Sequence, residues 1–201
     1  GTITEEDVSF FLLDTFAQGD WRALLREYKD KKISVGEFNT RAFAMVKNNK
    51  AALLEEVKVK TKVRAGFHEL VNYCQKKGFR LVIVSNGLDF YIRAVLKDLG
   101  LGNVEVHAAQ ASFHPEGMKV RYLGPDGKIL EDGFKELYIK SFLESGYRVV
   151  YIGNGDSDFP PAKYAYYVFA TGELLVYCRE NNLKHKPFDN LFDIVRHIDL
   201  Q

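Results

Sequence analysis

Cysteine is scarce in this chain of 201 residues: Cys74 and Cys178 are the only two. Their separation suits no metal cluster, and two isolated thiols read as buried residues of a reducing compartment. A cytoplasmic protein is the expectation. An excess of charge of either sign is also lacking. The 28 basic and 27 acidic residues leave a net charge of +1. That balance gives no electrostatic reason for nucleic acid or an anionic membrane as a partner. No apolar run approaches the roughly 18 residues that a membrane-spanning helix needs. A signal-peptide pattern, internal repeats and low-complexity tracts are missing too. So are a G-x-G-x-x-G after a strand and a P-loop, which argues against a nucleotide-binding Rossmann protein.

A core is what the chain does have. Apolar residues make up 46% and charged residues 27%, a balance that suits one α/β domain with a modest insertion. Residues 5–62 read as helical throughout. Val8, Phe11, Leu12 and Phe16 share one helical face. Asp20 can cap a helix carrying Trp21, Leu24, Leu25 and Tyr28. Ser34 and Glu37 have capping-box spacing before Phe38, Ala42 and Met45. A shorter helix runs from Ala51 to about Lys58. The aromatics of this stretch (Phe10, Phe11, Phe16, Trp21, Tyr28, Phe38, Phe43) are expected mostly to fill its core.

From Arg64 the pattern alternates between helix and strand. A helix with Phe67, Leu70, Val71 and Cys74 ends at Gly78. The runs Arg80–Val84 and Tyr147–Ile152 are apolar and of strand length, and read as strands buried on both faces. Helices are expected over 88–99, 133–145, 174–181 and 190–198, and further strands over 104–108 and 166–170. Residues 118–127 read as half of a hairpin with its loop. Such alternation implies a parallel sheet covered by helices, with ligands at the carboxyl ends of the strands.

Three polar features stand at those ends. Ser85-Asn86-Gly87 follows the first apolar strand; a hydroxyl and backbone N–H groups there can take a phosphate, or Ser85 can simply cap the next helix. Gly153-Asn154-Gly155-Asp156-Ser157-Asp158 follows the second; it collects hard oxygen donors suited to Mg²⁺, or it is a glycine turn with an aspartate cap. Lys135, at the start of the helix that leads into that strand, can hold a phosphate or balance carboxylates, or it is a solvated lysine.

In this order the three features resemble the haloacid dehalogenase superfamily. Its motifs are an Asp-x-Asp-Gly/Ser-Thr loop, a Ser or Thr after a strand, a Lys, and an acidic Gly-Asp-x-x-x-Asp loop. The opening Gly1-Thr2-Ile3-Thr4 looks like the tail of the first. The segment GFHELVNYCQKKGFRLVIVSNGLDFYI and the tail FATGELLVYCRENNLKHKPF are similar to phosphatases of the phosphoserine-phosphatase-like branch, those of methionine salvage included. The resemblance implies a Rossmann-like parallel α/β sheet with an inserted helical-bundle cap, the cap at 5–62 and the core at 1–4 and 63–201. It also implies hydrolysis of a small phosphomonoester with Mg²⁺, through an aspartyl-phosphate. Ser85 and Lys135 would be catalytic, Asp7, Asn86 and Gly87 would contact substrate, and Asn154, Asp156 and Asp158 would hold metal. Asp7 could equally be an early-helix carboxylate interacting with the helix dipole.

Two departures from the family pattern bear on function. The nucleophile and the acid/base aspartates are expected before Gly1, together with a central strand whose loss would leave unpaired edges. Asn154 stands where the metal-binding Asp is expected; its amide oxygen can ligate Mg²⁺ but brings no charge. The rival reading is therefore a catalytically inactive protein of the same fold that binds a phosphorylated ligand. Candidate substrates are the methionine-salvage enol phosphate, phosphoserine and a phosphoamino-alcohol such as phosphoethanolamine. The sequence leaves the oligomeric state, a homodimer included, open.

Overall fold

The structure is a computed structural model and describes residues 1–199. Four helices come first: α1 (Val8–Phe16), α2 (Trp21–Lys29), α3 (Val35–Phe43) and α4 (Lys50–Lys60). Then follow α5 (Phe67–Lys77), β1 (Val82–Leu88), α6 (Asp89–Asp98), β2 (Glu105–Ser112), β3 (Lys119–Leu123) and β4 (Ile129–Leu130). The last part contains α7 (Phe134–Glu144), β5 (Val150–Gly153), a 3₁₀ turn (Asp156–Asp158), α8 (Phe159–Ala162), β6 (Tyr167–Ala170), α9 (Gly172–Glu180), β7 (His185–Pro187) and α10 (Leu191–His197).

The chain forms two compact units. One comprises Asp7–Thr61 and Val82–Phe134; the other comprises Gly1–Glu6, Lys62–Leu81 and the described residues from Lys135 on. The helical stretch 7–61 thus folds into the same unit as β1 to β4. Its four helices each begin on a side-chain cap: Asp7, Asp20, Ser34 and Asn49 accept the N–H groups of Phe10, Ala23, Glu37 and Ala52. This satisfies donors that the helix itself leaves unpaired. The capping box at Ser34 is half-formed, because the Glu37 carboxylate pairs with Arg41 at 3.1 Å. Phe38 (2% exposed) is the hub of the helical core. Its ring lies 6.5 Å from Trp21, 6.4 Å from Phe10 and 5.8 Å from Tyr28. The buried face of α1 is Val8, Ser9, Leu12 and Leu13, so Phe11 and Phe16 sit half-exposed at its margin.

The sheet of this unit has the order β1-β2-β3-β4. β1 and β2 are parallel, whereas β2–β3 and β3–β4 are antiparallel. The expected parallel pairing is present in β1–β2, and β3 and β4 form the hairpin expected over 118–127; β3 runs antiparallel to β2 because residues 113–118 are too few for a crossover. The other unit carries β5-β6-β7, all parallel. β7 escapes sequence reading, since His185-Lys186-Pro187 has neither apolar character nor length; a proline is tolerated there because β7 is an edge.

β1 and β5 differ from their expected burial on both faces. Each has a hydrogen-bonded neighbour on one side only, and Val82, Ile83, Val84, Val150 and Ile152 are half-buried. Both cysteines are buried and unpaired. Among the described residues no helix is long and apolar enough to cross a membrane.

Phe38→Ala is expected to destabilise the protein by about 3–5 kcal/mol, the usual cost of emptying a packed aromatic site. Urea unfolding measures it, and a loss under about 1 kcal/mol would show that Phe38 is not the hub.

Candidate active site

The carboxyl end of β5 is organised by one buried carboxylate. Asp158 is 3% exposed. Its Oδ2 accepts the backbone N–H groups of Asn154 (2.8 Å) and Gly155 (3.0 Å). Its Oδ1 accepts from Lys135 Nζ (2.6 Å) and from the Tyr151 hydroxyl (2.7 Å). A carboxylate has about four lone-pair directions, and all are taken. Burial pushes this carboxyl up, but the Lys135 ammonium and the two N–H groups outweigh burial and hold it below the usual carboxylate range. Burial, with Asp158 close by, pushes the Tyr151 phenol well above its ordinary value. The close approach requires glycine at 153: a Cβ there would stand 2.7 Å from Asp158 Cγ.

Lys135 is not a solvated lysine. Its side chain is 14% exposed, and Nζ also donates to Ser157 Oγ at 3.2 Å. The ammonium has three donors, so one remains after these two bonds.

Asn154 is tied to the first residues of the chain. Thr2 Oγ1 donates to Asn154 Oδ1 at 2.7 Å. Gly1 packs so close that a Cβ would lie 2.6 Å from Asn154 Nδ2. Arg64 fixes this segment through main-chain oxygens alone: its guanidinium donates to the carbonyls of Gly1 (2.9 Å), Thr2 (2.9 Å) and Asp189 (2.8 Å). The Asn154 carbonyl accepts the N–H of Leu174 at 3.1 Å.

The metal expectation divides among three residues. Asp158 is fully engaged as the anchor of the loop and the counter-ion of Lys135, and this geometry offers a cation none of its lone pairs. The other two expected ligands are Asn154 and Asp156. Among the described residues no group of three or more His, Cys, Asp or Glu is placed to hold a metal ion. Their oxygens nonetheless suit Mg²⁺ in kind, because that ion keeps several waters and takes only one or two protein ligands. The Asn154 amide oxygen retains a second lone pair beside the Thr2 bond.

The other unit places Ser85, Asn86 and Gly87 together in a bulge. Ser85 pairs with Ala108 and Leu88 with Ala109, so Asn86 and Gly87 have no partner in β2. Bulges of this kind re-aim side chains. Ser85 does not cap α6, whose N-cap is Leu88. Its Oγ instead accepts the Gly87 N–H at 3.0 Å, which leaves the hydroxyl hydrogen to donate elsewhere. Gly87 has no room for a side chain, since a Cβ would lie 2.1 Å from the Tyr91 hydroxyl. Asp7 is the N-cap of α1, accepting from Phe10 at 3.3 Å. Sequence reading missed Tyr151 and Arg64, which belong to no motif and act by where the fold brings them, and it gave Thr2, in the tail of the first motif, no partner.

The family model for haloacid dehalogenase-like hydrolases matches residues 1–163. The 2-hydroxy-3-keto-5-methylthiopentenyl-1-phosphate phosphatase of Geobacillus kaustophilus (strain HTA426) is 31% identical, over 97% of this chain and 90% of its own length. The protein of the same name from Geobacillus thermodenitrificans (strain NG80-2) is 32% identical, over 98% and 91%. A substrate-bound phosphoserine phosphatase shares the fold, with a TM-score of 0.68 and 15% identity over 98% of this chain and 93% of that one. The chain belongs to the haloacid dehalogenase-like hydrolases, on the phosphatase side of that family.

Asp158→Asn is expected to lower stability at neutral pH by about 3–5 kcal/mol, because it leaves Lys135 buried without its counter-charge. Since the folded-state carboxyl lies below its unfolded value of about 3.9, the pair's contribution is complete above roughly pH 4 and is lost as pH falls through the folded value. Denaturant titrations at stepped pH should therefore show the two proteins converging only in acid; an unchanged gap there would refute the ion pair.

Proposed function

We propose that this protein hydrolyses a small phosphomonoester through an aspartyl-phosphate intermediate, with Mg²⁺ as cofactor. The observation that supports this reading is the chemistry at each of two strand ends: a serine bulge at the end of β1, and a lysine–aspartate pair with an Asn/Asp loop after β5. The chemistry balances in two steps. An aspartate carboxylate attacks phosphorus, the ester P–O bond breaks, and the leaving oxygen takes a proton from the second aspartate. Water, giving its proton to that same group, then attacks phosphorus and releases phosphate and the first carboxylate.

The chain's own residues serve the phosphoryl group and its charges. Ser85, with Gly87 N–H already on its oxygen, donates its hydroxyl hydrogen to a phosphoryl oxygen. Lys135 is held by Asp158 and Ser157, and its third N–H is available to a phosphate or carboxylate oxygen. Asn154 and Asp156 would hold Mg²⁺, which when bound offsets negative charge between carboxylate and phosphate. Asp7, as helix cap, keeps its neighbouring loop in place, and Asn86 and Gly87 offer main-chain groups to substrate. The helical stretch 7–61 acts as the cap that selects substrate. The names of the relatives make 2-hydroxy-3-keto-5-methylthiopentenyl-1-phosphate the first substrate to try. The two unpaired cysteines support a cytoplasmic site of action.

The test is turnover by the full-length protein, including whatever precedes Gly1, on a phosphomonoester panel. Activity is expected to vanish with a chelator and return with Mg²⁺; a folded protein that retains both aspartates yet turns nothing over would instead point to a phosphate-binding role. Ser85→Ala should lower kcat by about 10²-fold, the typical worth of one transition-state donor. Asn154→Asp should lower the Mg²⁺ concentration for half-maximal activity, and an unchanged Mg²⁺ dependence would remove Asn154 from the metal.

A further inference from the structure

The bulge that shapes Ser85 is held by a closed triangle of hydrogen bonds that none of the family motifs includes. The main-chain carbonyl of Asn86 accepts from the Tyr122 hydroxyl (2.8 Å) and from Asn39 Nδ2 (3.1 Å). Asn39 Nδ2 also donates to the Tyr122 oxygen at 2.7 Å. Asn39 and Tyr122 are 4% and 3% exposed. Asn39 lies on α3 of the helical stretch and Tyr122 on β3, so two elements distant in sequence converge on one carbonyl. Buried polar groups arranged this way fix a unique geometry, because any slip leaves a donor unpaired out of water.

A second tyrosine restrains the next residue. The Tyr91 hydroxyl sits where a Gly87 Cβ would be, and it is bonded at 2.8 Å to Ser9 of α1. Burial pushes both phenols above their ordinary range, so both stay protonated at any working pH.

We propose that Asn39 and Tyr122 are positioning residues for Ser85: by gripping the Asn86 carbonyl they set the bulge that puts Gly87 N–H on Ser85 Oγ and leaves its hydroxyl hydrogen for the phosphoryl group. The inference rests on the proposed phosphatase reaction for its functional half, and on geometry alone for the rest. It makes presentation of the phosphate-binding hydroxyl depend on α3, a helix with no motif residue.

Tyr122→Phe is the cleaner variant, because the ring keeps its edge contact with Phe134 (5.2 Å between centroids). Asn39→Leu serves if Tyr122→Phe does not fold. The first readout needs no turnover. Amide exchange at Gly87 in the full-length protein should quicken about tenfold, the worth of one hydrogen bond, with global unfolding stability changed far less. The second readout is kcat on p-nitrophenyl phosphate. Either variant should lower kcat about tenfold with Ser85 present, leave KM nearly unchanged, and change nothing in a Ser85→Ala background. Unaltered Gly87 exchange, or an equal kcat loss in both backgrounds, would overturn the proposal. If the parent protein has no phosphatase activity, the proposed function fails while Gly87 exchange still decides this inference.

Discussion

The ion pair between Lys135 and Asp158 is the constraint on which the β5 loop depends. A carboxylate removed from water is tolerated only when every lone pair finds a donor. Here four donors come from four different residues, and each imposes something on its neighbourhood. Two of them are consecutive backbone N–H groups, at Asn154 and Gly155, which fixes the path of the loop. One is Tyr151, within the strand itself. The last is Lys135, whose ammonium is thereby held at one place with one donor to spare. Gly153 follows as a necessity, since the carboxylate occupies the space its side chain would need. The loop's chemistry is therefore set by Asp158 without Asp158 having to meet a metal.

The β1 loop reaches rigidity by other means. No charge is buried there. The Asn86 carbonyl takes two neutral donors, Ser85 takes the N–H of Gly87, and a tyrosine hydroxyl fills the space above Gly87. Neutral groups carry a smaller desolvation cost than charges, so this loop tolerates losing one bond better than the β5 loop tolerates losing its counter-ion. The two loops thus give two levels of robustness to substitution: strong dependence on single residues after β5, graded dependence after β1.

Much of the fold was legible because it is written in period and punctuation. Helical spacing with Asp20 and Ser34 at the caps marked the early helices, and the apolar runs marked β1, β5 and β6. Type and place singled out Ser85, Lys135 and Asp158, but Asp158 as a metal ligand and not as the counter-ion of Lys135. Their partners were not legible. Tyr151 looks like any strand residue, and nothing in a linear pattern says that its hydroxyl meets a residue seven positions on. Asn39 and Tyr122 are 83 residues apart, a separation that spacing cannot bridge. Burial of β1 and β5 was overestimated, because an apolar run reports what a strand could bury and not how many neighbours it has.

The hydrogen bonds of the Arg64 guanidinium read only the polypeptide backbone, while its plane lies over the Phe188 ring, 5.7 Å from the centroid. The three hydrogen-bond partners are the carbonyls of Gly1, Thr2 and Asp189, and every amino acid supplies such an oxygen. As far as this clamp is concerned, the side chains at those three positions are free to drift over evolutionary time. Arg64 itself is not: a lysine would bring a point charge where a planar fork is required. The clamp's hydrogen bonds thus depend on the side chain of one residue, whose loss no change at the other three could compensate.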